Sequence, residues 1–100
     1  MMRVALGRRA ITDIGIAVKF YDRQGLGLGN KFEAAIFDDI TSLASLHGFH
    51  PMRFGVHRLL ATAFPFGIYY AATVDHIEVV AVLDLRADPA RLARILQNRR

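Results

Sequence analysis

The side chains whose types could do chemistry fall into small, scattered groups. His47, His50 and His57 stand at spacings that invite a metal. There is no HExxH pair, their span crosses a helix end and a loop, and no acid lies nearby in sequence. They read as surface or capping histidines. Asp13, Asp38 and Asp39 are carboxylates of the N-terminal half. Neighbours on a helix point apart, so Asp38 and Asp39 make no paired acid/base site, and these two read as solvated face. Ser42 and Ser45 lie inside a helix and lack a nucleophile elbow. Gly25-Leu26-Gly27-Leu28-Gly29 suggests a phosphate loop, but it follows a helix, belongs to no βαβ unit and lacks a Lys-Ser/Thr pair. A flexible inter-helix turn is expected there. Metal-free phosphodiester cleavage needs convergent cations with a general acid and base. The nearest such set is Arg58, Arg86, Tyr69 and His57, which is thin.

Composition narrows the classes. One hundred residues make one domain, spanning 1–100, able to bury a core without staples. The absence of cysteine rules out disulfides and thiolate metal sites. No apolar run approaches the length of a membrane span, and the N-terminus carries no signal-peptide pattern, so a cytoplasmic protein without membrane contact or cofactor is expected. The net charge is +4, with eleven arginines against two lysines. Arginine suits bidentate recognition of phosphate or carboxylate. Arg91, Arg94, Arg99 and Arg100 close the chain with no acid among residues 89–100. They mark either an anionic partner or a solvated helix end whose cations complement the macrodipole.

The elements that must position these groups follow from spacing. Arg3–Leu6 suits a short strand. Ile11, Ile14, Val18 and Tyr21, with Ala17 beside them, predict a helical face. Gly15 weakens that helix by up to about 1 kcal/mol. Asn30 and Glu33 resemble a capping box opening a second helix. Its apolar stripe is Phe32, Ile36, Ile40 and Leu43, with Phe37 and Leu46 alongside and Lys31, Asp38 and Asp39 facing out. Gly48 ends that helix, and His50-Pro51 begins an irregular connection. Three β-rich runs follow: Val56 to Ala63, Phe64 to Tyr70 and Ile77 to Leu85. Their short links imply an antiparallel meander. In the middle run Phe66, Ile68 and Tyr70 should meet the helices, while Gly67, Tyr69 and Ala71 could line a concave surface. In the last, Ile77, Val79, Ala81, Leu83 and Leu85 share one face, and Glu78, Val80, Val82, Asp84 and Arg86 the other. Asp88-Pro89 caps a terminal helix with Leu92, Ile95 and Leu96 on its apolar side. The fold class is α+β: an N-terminal strand and an αα-hairpin packed on a small antiparallel sheet, then a C-terminal helix, with the helices on one face.

With these residues, that order resembles the RelE/ParE superfamily of toxins from bacterial type II toxin–antitoxin modules. Asp13-Ile14-x-x-Ala17-x-x-Phe20-Tyr21 is similar to its first-helix pattern, and Gly27-x-Gly29-x-x-Phe32 to its loop and second-helix start. Pro51 resembles its post-helix proline. Phe64-Pro65-Phe66-x-Ile68-x-Tyr70 is similar to its strand signature, and Ala81-Val82-Leu83 with Arg86-x-Asp88-Pro89 to its closing strand and turn. The resemblance covers nearly the whole chain. It implies a growth-inhibiting toxin neutralised by a cognate antitoxin encoded beside it. Phe37, Val80 and Val82, with the four C-terminal arginines, are candidate partner contacts.

The departures concern chemistry. Gly67, Ala71, Ala87 and the Thr62-Ala63 pair stand where family members often carry basic residues, and Asp84 where a strand-end histidine or basic group is common. No tyrosine occurs in residues 89–100. The implied branch is therefore ParE-like, acting on DNA gyrase by binding. The alternatives are a RelE-like, ribosome-dependent mRNA endonuclease using Arg58, Arg86, Tyr69 or His57, and a non-toxic module that only binds an antitoxin.

Overall fold

The computed structural model describes residues 2–99. The elements are β1 (Arg3–Leu6), α1 (Arg8–Gln24), α2 (Leu28–Leu46), β2 (Met52–Arg53), β3 (Val56–Leu60), β4 (Phe66–Ala72), β5 (His76–Asp84) and α3 (Pro89–Asn98). The strands form one sheet in the order β1-β5-β4-β3-β2, with β1 parallel to β5 and the other pairs antiparallel. The meander is as expected. The connection after α2 also contains β2, a two-residue strand too short to carry a sequence period. The β3–β4 link is longer than the sequence suggests: β3 stops at Leu60, and Pro65 lies ahead of β4.

Two layers of side chains bury the sheet. On one face Ala10, Ile14, Ala17 and Tyr21 of α1 and Phe32, Ile36, Ile40 and Leu43 of α2 close over Phe66, Ile68 and Tyr70 of β4. The second-helix stripe is the predicted one. The first is rotated: Ala10, not Ile11, faces the core, and Ile11 is 55% exposed. Tyr21, Phe32, Phe64 and Phe66 form an aromatic knot with ring centroids 4.8–6.2 Å apart. Edge-to-face contacts of this kind add to what area burial alone provides.

The other face is not open. Leu92 and Leu96 of α3 pack there with Val56, Tyr69, Ala81 and Leu83. The helices therefore lie on both faces, and the concave surface expected around Gly67, Tyr69 and Ala71 is filled. A bulge in β5 explains why its predicted alternation fails. Tyr69 pairs with Ala81 but Tyr70 with Val79, so Val80 is an extra residue. One extra residue exchanges the two faces beyond it. Val79 and Val82 consequently both join the α1/α2 core.

The glycine segment resolves into two devices. Gly27 adopts φ +77° and is the N-cap of α2, which begins at Leu28, before the expected Asn30–Glu33 box. Asp22 of α1 takes over the capping: its Oδ1 accepts from the Gly29 N–H at 3.0 Å. A Cβ on Gly29 would lie 2.7 Å from the Val18 carbonyl oxygen. Glycine there lets the two helices approach closely, which a merely flexible turn would not require.

Candidate functional site

The four residues that a nuclease would need do not converge. Arg58 pairs with Tyr69 across β3 and β4, while His57 pairs with Tyr70. Alternation puts those two pairs on opposite faces of the sheet. Tyr69 is 1% exposed beneath α3, which leaves its ring no access to a substrate. Arg86 lies beyond β5 and holds Asp84 in a two-bond fork, at 3.0 and 2.8 Å. Its hydrogen bonds keep the Asp84 carboxyl below the usual carboxylate range. The Arg58 Nε is buried without a partner, and Arg58 makes no ion pair among the described residues.

His50 and His57 serve the fold. Tyr70 accepts the Gly48 N–H at 2.9 Å, so its own proton is free to go to His50 Nδ1. A carbonyl can only accept, so His57 Nδ1 donates to the His50 oxygen at 2.8 Å while its ring stacks on Tyr70. Burial, then the neighbouring His57, lowers the His50 pKa. His47 Nδ1 meets the Leu43 carbonyl at the end of α2. Among the described residues no group of three histidine or acid side chains is placed to hold a metal.

Asp39, expected on a solvated face, is structural, and so is Asp13. Asp39 is 8% exposed and accepts from the Thr62 N–H and hydroxyl, at 3.0 and 3.1 Å, fastening α2 to the β3–β4 link. Asp13 accepts the Val82 N–H at 3.0 Å and pairs with both terminal nitrogens of Arg99. Arg99 also donates to the Val80 carbonyl at 3.2 Å. This cluster was invisible to sequence periodicity because its members lie 69 and 86 positions apart. Its cause is topological: β1 ends opposite Val79, so the rest of β5 has no neighbour on that side. Side chains stand in for the missing strand.

Beside that edge lies a cleft of about 380 Å³ between α1 and α3. Ile16 and Phe20 form one wall, Ile95 and Arg91 the other, and Val82 lies in its lining. Ile16 and Phe20 are 64% and 40% exposed, so the cleft presents apolar side chains to solvent. Of the expected partner contacts, Phe37 lies exposed on α2, Val82 is core, and Val80 is the half-buried bulge residue. Arg91 and Arg94 are exposed on α3, whereas Arg99 is spent on Asp13. Arg100 lies outside the described residues. No helix among those residues is long and apolar enough to cross a membrane.

A chain in the solved structure of the chromosomal ParDE TA system from P. aeruginosa matches this one with a TM-score of 0.70. The match covers 82% of this chain and 94% of that one, at 19% identity. The two chains share a fold. That agrees with the architecture implied by the sequence resemblance. No family model and no curated protein matches the chain.

Proposed function

We propose that this chain is the toxin of a type II toxin–antitoxin module, ParE-like, held inactive by a cognate antitoxin and acting by binding rather than catalysis. The observation that supports it is the fold shared with a chain of the ParDE TA system. The dispersal of Arg58, Arg86, Tyr69 and His57 favours binding over RNA cleavage, since a cleavage site must bring its cations and its acid and base to one atom. On the resemblance to the ParE branch, the target is DNA gyrase. The exposed Phe37, Arg91 and Arg94 are the proposed contacts, with Arg91 and Arg94 drawing acidic groups at a range set by salt.

Inducing the chain in cells without its antitoxin tests the reading. Filamentation with DNA breaks is the expected result. Arrested translation with codon-specific cuts in mRNA would assign the RelE-like activity instead. Unimpaired growth would leave only a module that sequesters the antitoxin.

A further inference from the structure

The sheet edge opposite β1, formed by β2 and the bend before it, has a composition unlike the rest of the chain. Residues 40–74 contain no aspartate, glutamate or lysine, and their only permanent cations are Arg53 and Arg58. Within that stretch Phe49, Met52 and Phe54 stand exposed, Phe49 to 83%. Neither arginine makes an ion pair among the described residues. Arg53 pairs with Val56, two residues before Arg58, so alternation puts both arginines on the α3 side of the sheet, where Val56 is buried. Aromatic, methionine and arginine side chains with lysine and acids depleted are what protein interfaces concentrate at their centres. Two features hold these side chains in place. The backbone is fastened around Phe49: the Tyr70 hydroxyl accepts from the Gly48 N–H at 2.9 Å and donates to His50 Nδ1, and the Pro51 carbonyl accepts from the Arg58 N–H at 2.9 Å. The chain is thus fixed while the Phe49 ring faces solvent. Beyond it, two residues join β2 to β3, Phe54 at φ +54° and Gly55 at φ +85°. A hairpin turn with both φ values positive prefers Asn-Gly or Asp-Gly, and a bulky side chain there sits against its own backbone preference. An aromatic in that place costs stability and yields an exposed ring at the hairpin tip.

We infer that the bend at Phe49 and the β2–β3 hairpin form a surface that grips the chain's target protein, at a socket apolar in its middle and acidic at its rim on the α3 side. This deepens the reading that the chain acts by binding DNA gyrase, on which it rests, and adds a second surface to Phe37, Arg91 and Arg94. Phe49 and Phe54 fill the socket. Arg53 and Arg58 meet the rim carboxylates, with no acid on their own stretch to compete. A nucleic acid is the poorer fit. Two guanidinium groups are too few to track a phosphate backbone, and Met52 offers no ring on which a base could stack. The hairpin stands at the opposite edge of the sheet from β1, whereas the α1–α3 cleft lies beside β5, so substitutions at the one leave the lining of the other unchanged.

The probe is purified DNA gyrase, with the full chain titrated into a supercoiling assay and folding checked by thermal unfolding. Phe49→Ser should keep its thermal midpoint and raise the half-inhibitory concentration at least about tenfold. Arg53→Gln should raise it about threefold and flatten its dependence on salt. Phe54→Asn separates presentation from packing. Asparagine suits the turn, so the midpoint should equal or exceed that of the parent chain while inhibition weakens about tenfold. A lowered midpoint with full inhibition would make Phe54 a packing residue and overturn its assignment here. Full inhibition by folded Phe49→Ser overturns the surface while sparing the gyrase reading. In that case a dimer lost from the variant assigns the surface to a second copy of this chain, and a single-stranded oligonucleotide complex lost from it assigns the surface to nucleic acid. If the parent chain leaves supercoiling untouched, the gyrase reading falls, and this surface with it.

Discussion

The α1/α2 face of the sheet and the α3 face are covered in different ways. The first is roofed by two helices of 17 and 19 residues and closed by an aromatic knot. The second is covered by ten residues, of which Leu92 and Leu96 supply the buried contact. The thin cover decides the functional reading, because Tyr69 and its small neighbours lie under α3 rather than facing a substrate. The thick cover buries the larger set of core side chains. The Asp13–Arg99 cluster joins the two across the open end of β5, so neither face is independent.

That comparison can be broken experimentally, starting with its heaviest element. Phe32→Ala, at the centre of the knot, should cost about 4 kcal/mol, and Leu96→Ala about 3 kcal/mol, in denaturant unfolding. Both should shift a single transition. If Leu96→Ala instead loosened amide exchange in α3 alone, the second face would be a detachable cover. Arg99→Ala strands a nearly buried carboxylate and should cost about 3 kcal/mol. In an Asp13→Ala background the same change should cost much less, and an additive double mutant would contradict the coupling of the two faces. Asp39→Ala leaves the Thr62 N–H without its acceptor and should cost about 2 kcal/mol. That loss should again shift the single transition rather than split it.

The smallest effect concerns pH. His50 is held below its ordinary pKa of 6.5, by burial first and by His57 second. A depressed histidine is preferred neutral in the fold. Its contribution is complete above pH 6.5 and is lost as pH falls through the folded value. Thermal midpoints should therefore drop between pH 7 and pH 5, and His50→Gln should flatten that part of the curve. An unaltered curve would remove His50 from the account.

What the sequence made legible divides along the same line. The α2 stripe and the alternation of β4 are strong periodic signals, and the structure has both. The Asp88-Pro89 cap is also present, with the Asp88 Oδ1 accepting from the Ala90 N–H at 3.0 Å. Three features were not legible, each for a local reason. A bulge is one residue without a signature, so Val80 reversed the assignment of Val82. A buried carboxylate looks like a surface one until its donor is found, and Asp39 and Asp13 find theirs 23 and 69 residues away. The amphipathic pattern of α3 says that it packs but not on which face, so the burial of Tyr69 beneath it has no sequence signal. The departures at Gly67 and Ala71 are legible in the sequence, whereas the split of Arg58 and Tyr69 from His57 onto opposite faces depends on the strand register.

The central claim is action by binding without an assembled catalytic site. Its most direct test places the purified chain, without antitoxin, in two assays at equal concentration: supercoiling by DNA gyrase, and integrity of mRNA on translating ribosomes. Inhibited supercoiling with intact mRNA is the expected result. Codon-specific cleavage of the mRNA while gyrase works unimpeded would contradict it.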